Sequence, residues 1–278
     1  MIEICCGSYE DALNAYYGGA KRIELNSALH LGGLTPSIGS LKLTKNTTNL
    51  KVICMVRPRG AGFCYTDIEF KQMMIEAKDL LENGADGIAF GFLLKNHEID
   101  IERTKEMVSL IKSYQKEAVF HRAYDCVKDP YASIEILINL GIDRLLTSGL
   151  RAKAADGKDL IKKLQTKYGD KIEILAGSGI NSTNGQAIME YTGIAQIHSS
   201  CKDWQNDPTT SGEFVNYCYG PAEHKDDFDM VSKELVEKIS EIRIMKNKLW
   251  FRYLITIVAV IASSFLQTYA IKVFCRTS

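Results

Sequence analysis

The sequence has no surplus of charge. Lys and Arg together number 34, Asp and Glu number 34, and the formal net charge is zero. That balance removes the electrostatic footprint of a nucleic-acid binder, so nucleic acid is not expected as the main partner. Local basic loops still suit a small anion. The cysteines, Cys5, Cys6, Cys54, Cys64, Cys126, Cys201, Cys218 and Cys275, form no CxxC pair and no Cys/His cluster. The closed zinc sites built on such spacings are therefore not expected. The N-terminus, Met1-Ile-Glu-Ile-Cys-Cys, lacks the basic and apolar regions of a signal peptide, which predicts a cytoplasmic domain with free thiols. The 278 residues, 46% apolar and 24% charged, suit one large α/β domain.

One stretch lacks charge altogether. Tyr253–Ile271 contains no Asp, Glu, Lys or Arg. As a helix rising about 1.5 Å per residue it spans roughly 28 Å, close to a bilayer's hydrocarbon core. Trp250, Tyr253 and Tyr269 stand at its ends as interfacial aromatics do, and Lys246, Lys248 and Arg252 precede it. Residues 246–252 thus read as a basic linker, 253–271 as a transmembrane helix with the preceding domain on the cytoplasmic side, and 272–278 as a short tail. The competing reading is an amphipathic helix of the soluble domain, against which Ser263, Ser264, Gln267 and Thr268 interrupt the apolar face.

Before that stretch, short β-branched runs alternate with helical patterns. The runs lie near 2–6, 21–25, 51–56, 86–90, 117–121, 143–147, 172–176 and 194–198. Between them, segments such as Asp67–Asn83 and Ile101–Tyr114 repeat apolar residues at three and four positions. This alternation calls for a parallel sheet with crossover helices, and eight units close a TIM-type barrel over residues 1–245. An open doubly wound sheet is the alternative. A phrase recurs at every second strand: Gly19-Ala-Lys-Arg, Gly84-Ala-Asp-Gly, Gly141-Ile-Asp-Arg and Gly193-Ile-Ala-Gln. Each glycine is placed to end a helix in the left-handed conformation before the next strand.

Active groups of such a barrel sit where strands end. Those positions carry three chemistries. Arg57, Arg59 and Arg122 are forked donors for carboxylate or phosphate. Ser148, the loop glycines Gly177 and Gly179, and Ser199 stand after strands six to eight, where barrels often hold phosphate. Glu24, His121, Asp125 and His198 share one rim and form a candidate proton-transfer set; a His at a strand end can equally serve only a neighbour's backbone. Thiolates and thioethers suit Cu(I). Strand alternation lets only one of Cys5 and Cys6, and one of Cys54 and Met55, face the interior, and free cysteine is commonly a small buried hydrophobe.

The phrases RIEL…GGLTPS, MVRPRG, DGIAFG, FHRAYD, RLLTSG, AGSGI and IHSS, in that order to about residue 245, resemble the CutC family of copper homeostasis proteins. The resemblance implies a cytoplasmic β/α barrel associated with copper handling, with Cu(I) as ligand; the arginine rim adds a small anion as the other ligand expected, and an oligomer is left open. The resemblance also implies Cys5 as a metal ligand. The family's usual second cysteine falls on Asn26 here. Three functions stand side by side: Cu(I) binding in copper homeostasis, from the resemblance and Cys5; an isomerase- or lyase-type enzyme on a small anionic or phosphorylated metabolite, from the rim of arginines, histidines and carboxylates; and a membrane-tethered scaffold, from the C-terminal segment alone.

Overall fold

The computed structural model describes residues 1–242. The expected linker, transmembrane span and tail lie outside the described residues. Among the described residues no helix is long and apolar enough to cross a membrane.

Eight parallel strands close into a barrel: β1 (Ile2–Cys6), β2 (Arg22–Leu25), β3 (Lys51–Met55), β4 (Gly87–Phe90), β5 (Glu117–Phe120), β6 (Arg144–Thr147), β7 (Glu173–Ala176) and β8 (Gln196–Ser199). Pairing of β1 with β8 completes the ring, with Glu3 opposite His198. Closure excludes the open doubly wound sheet. The crossover helices are α1 (Tyr9–Tyr17), α2 (Ile38–Thr47), α3 (Asp67–Glu82), α4 (Ile101–Ser113), α5 (Pro130–Asn139), α6 (Ala154–Tyr168) and α7 (Gly185–Thr192). Their starts are written locally. Thr66 and Glu69 make a reciprocal capping box on α3, and Asp129 caps α5 ahead of Pro130.

The repeated phrase works as expected at its glycine. Gly19, Gly84, Gly141 and Gly193 have φ of +91°, +97°, +84° and +79°. Its aspartate does more. Asp86 accepts the Val52 N–H at 2.8 Å and pairs with Lys45. Asp143 accepts the Ala118 N–H at 2.7 Å and pairs with Lys112. Each aspartate ties its strand to the one before, at the end of the barrel away from the mouth.

Inside the barrel, alternation decides everything. Glu3 and Cys5 on β1 face inward, whereas Cys6 is fully buried outside the ring with its thiol on the Ile4 carbonyl. On β3, Met55 packs inward with Ile53, Ala89 and Val119, and Cys54 is buried on the other side. Below this apolar layer the interior is ionic. Arg22 Nε lies 2.6 Å and Arg144 Nη1 3.0 Å from Glu3 Oε2, all with side chains at most 2% exposed. Arg144 also pairs with Glu117 and Glu173. Such a buried network holds only when every charge is matched.

After β8 the chain adds a two-stranded antiparallel hairpin, β9 (Lys202–Asn206) and β10 (Asp227–Val231). The strict alternation Asp227-Phe-Asp-Met-Val signals β10 in the sequence; β9 carries no comparable signal. A helix begins at residue 233.

Candidate functional site

At the strand C-terminal end the barrel opens into a cavity of about 800 Å³. Three side chains from adjacent strands converge on its floor: Cys5 from β1, Glu24 from β2 and His198 from β8. Register produces this, since Cys5 pairs with Glu24 and Glu3 with His198 across neighbouring strands. The Cys5 thiol lies 3.9 Å from Glu24 Oε2, and His198 Nε2 lies 3.9 Å from the same oxygen. One ligating atom from each falls within 4.8 Å of the others.

Two residues hold this trio. Glu3 Oε1 meets His198 Nδ1 at 2.9 Å, which turns Nε2 toward Cys5 and Glu24. Asn26 Nδ2 donates to Glu24 Oε2 at 3.1 Å and to the Cys5 sulfur at 3.5 Å. Position 26, where the resemblance led to the expectation of a second cysteine, is therefore beside Cys5 and is filled by an amide whose Oδ1 is buried without a partner.

The electrostatics follow from burial and these contacts. Burial works to lower His198, yet its bonds with Cys5 and Glu3 and the Glu24 charge carry it well above the imidazole range. Burial works to raise Glu3, but the His198 hydrogen bond and the Arg22 and Arg144 charges hold it at about 2. Glu24 is raised, first by burial and then by the Glu3 charge, against the pull of His198 and Asn26. Burial also raises the Cys5 thiol, against the His198 hydrogen bond. Burial and these contacts thus shift all three groups of the floor toward their protonated forms.

The opposite wall carries His121 and Arg57. β5 ends at Phe120, so His121 and Arg122 both line the cavity, with His121 capping a 3-10 turn over Arg122–Cys126. His121 Nδ1 accepts the Ala123 N–H at 3.1 Å, and its Nε2 is buried without a partner. Burial, then the Arg57 charge, pushes this histidine down to about 3. Arg57 gives Nη1 to the carbonyls of Leu31, Gly32 and Gly33 and Nη2 to that of Ala61.

The remaining expected residues stand elsewhere. Arg59 pairs with Glu69 and the carbonyls of Gly60, Gly62 and Cys64, away from the cavity. Asp125 also stands outside the cavity; its carboxylate accepts from Thr147 Oγ1, the Ser148 and Leu150 N–H groups and Arg122 Nε. Ser148 is bound to Asp125 and Arg122. Gly177 packs against Leu146 and His198, with its N–H on the Thr147 carbonyl. Gly179 lines the cavity at φ +69°, and so does Ser199, whose hydroxyl donates to the Ile180 carbonyl at 2.6 Å. Several lining residues were not singled out from the sequence as a place for a ligand, among them His30, Asn181, Cys201 and Lys202, and Asn26 was marked only as the position of an expected cysteine. Glu3, just beneath, was legible only as an acidic residue in the first strand.

Residues 1–203 match the model of the CutC family. A family protein CutC of Treponema denticola is 48% identical over 221 residues, 80% of this chain and 89% of that one. The human copper homeostasis protein cutC homolog is 40% identical over 202 residues, 73% of each chain. The crystal structure of the protein assigned as copper homeostasis protein CutC in Streptococcus agalactiae superposes with a TM-score of 0.68. It is 30% identical, and the match covers 72% of this chain and 98% of that one.

Proposed function

The chain belongs to the CutC family, and from that premise we propose that the barrel mouth binds copper as Cu(I) through Cys5 and His198, with Glu24 beside them. The observation that carries this reading is the convergence of the three ligating atoms within 4.8 Å on the cavity floor. A thiolate is a soft donor suited to Cu(I), and imidazole suits copper as well. The carboxylate of Glu3 on Nδ1 is the outer partner that orients a metal-binding histidine and leaves Nε2 as the ligand. The Asn26 amide donates to the Cys5 sulfur at 3.5 Å, a contact that works against the burial that raises this thiol. Metal held here would replace the protons on Cys5 and on His198 Nε2, which pass to solvent through the open mouth. The human relative and the Streptococcus agalactiae protein carry copper homeostasis in their names, which agrees with this choice of metal.

The test is a Cu(I) competition titration of the reduced full-length protein against a chromogenic chelator. One equivalent withdrawn from the chelator, and lost in both Cys5→Ser and His198→Gln, supports the reading. No withdrawal, or withdrawal unchanged in both variants, overturns it.

A second reading has its own support. His121, Glu24 and His198 all face one cavity, as the proton-transfer set of an isomerase- or lyase-type enzyme requires. Turnover by metal-free protein, abolished in Glu24→Gln, is the result that favours it.

A further inference from the structure

The cavity is far larger than one ion requires, and its second wall is built around a charge without a counterion. Arg57 is only 6% exposed. Four backbone carbonyls surround its guanidinium, the Phe63 ring lies 5.1 Å from it, and the Tyr65 phenol is its polar neighbour. Among the described residues no carboxylate pairs with it. A buried cation met only by dipoles leaves a favourable place for an anion. Its Nε is buried and unpartnered.

His121 stands beside it, packed against the same Phe63 ring at 5.0 Å. Because Nδ1 accepts the Ala123 N–H, the proton of the neutral ring sits on Nε2. That donor is buried and unpartnered, on a residue that lines the cavity. The fold makes room for it: a Cβ on Gly91 would meet His121 Cε1 at 2.6 Å. An unused N–H in a buried wall is costly unless a ligand accepts it.

We propose that Arg57 and His121 form the receptor for the carboxylate of a small organic acid, bound across the mouth from Cys5, Glu24 and His198. One fixed positive charge and one neutral donor match a monoanionic carboxylate better than a phosphate dianion. Met55, Phe63, Leu146 and Ile180 are among the residues that line the same cavity, which suits an acid with an apolar carbon skeleton. This site does not rest on copper binding, and the metal-free protein displays it.

The experiment uses full-length metal-free protein with 15N-labelled histidine, titrated with acetate, pyruvate and inorganic phosphate. A saturable shift of the His121 Nε2 resonance with a carboxylate is expected in the wild type, which needs no variant to fold. In His121→Phe, which keeps a ring against Phe63, carboxylate affinity read by calorimetry falls roughly tenfold or more, the worth of a hydrogen bond to a charged group. Saturation by phosphate alone overturns the choice of carboxylate. No saturable shift with any of the three, or carboxylate binding unchanged in His121→Phe, overturns the site.

Discussion

Glu3 Oε1 and His198 Nδ1 lie 2.9 Å apart, and this contact joins the ionic base of the barrel to its reactive floor. The other oxygen of Glu3 holds Arg22 and Arg144. Glu3→Gln keeps the shape but leaves two buried guanidiniums short of a carboxylate and loosens the imidazole. Losing one partner of a buried ion network costs about 3–5 kcal/mol, and losing a metal ligand's outer partner lowers affinity roughly 10- to 100-fold. Urea unfolding and Cu(I) competition check the two effects separately. Wild-type values in both would show that Glu3 neither positions His198 nor supports the fold.

Asn26 lies where a second thiol would face Cys5, with its amide 3.5 Å from the sulfur. Asn26→Cys places two soft donors side by side and removes the buried, unpartnered Oδ1. Cu(I) affinity in the reduced variant is expected to rise by roughly tenfold or more, since a paired thiolate is the softer set. Competition against a chelator of graded strength measures it. Unchanged or weaker binding would mean that the metal is not held on the Cys5 side of the floor.

The strand positions were legible to within a residue or two, because each buried parallel strand is a short apolar run between helical periods. The glycine phrase marked the helix ends for a conformational reason that survives in the structure. Alternation also decided that one of Cys5 and Cys6 enters the mouth. It did not tell which strands' residues meet. Glu3 and Arg144 are 141 positions apart, so the ionic base had no local signature. The arginines show the other limit. Arg57, Arg59 and Arg122 read alike in the sequence, yet loop carbonyls, Glu69 and Asp125 take up much of their donor capacity. Only Arg57 combines burial in the cavity wall with the lack of a carboxylate partner.

Asp125 acts as the knot of the loop after β6. Its carboxylate accepts from Thr147, Ser148 and Leu150 and pairs with Arg122. Asp125→Ala strands these donors, each buried one being worth about 1–3 kcal/mol when left unmatched. A loss of about 3–5 kcal/mol in urea unfolding is expected. Ligand affinity should change little at a temperature where the variant stays folded. Stability within experimental scatter of wild type, combined with lost ligand binding, would instead place Asp125 in the chemistry.

His121 makes the fold sensitive to acid in a definite direction. Burial first, and the Arg57 charge second, hold its folded pKa at about 3, from a usual value of 6.5. The unfolded chain therefore takes a proton that the folded barrel refuses. Stability from this group is complete above pH 6.5 and declines as pH falls from there toward 3. The slope is at most one proton, about 1.4 kcal/mol per pH unit, so about 2 kcal/mol is gone at pH 5. Carboxylates add their own loss in acid, so the quantity to compare is the difference between wild type and His121→Phe. Urea unfolding at pH 8, 6 and 5 should show that difference shifting in favour of the variant as pH falls. A constant difference across the three values would mean that His121 protonates as readily in the barrel as in the unfolded chain. The neutral donor wall beside Arg57 would then be wrong in its charge.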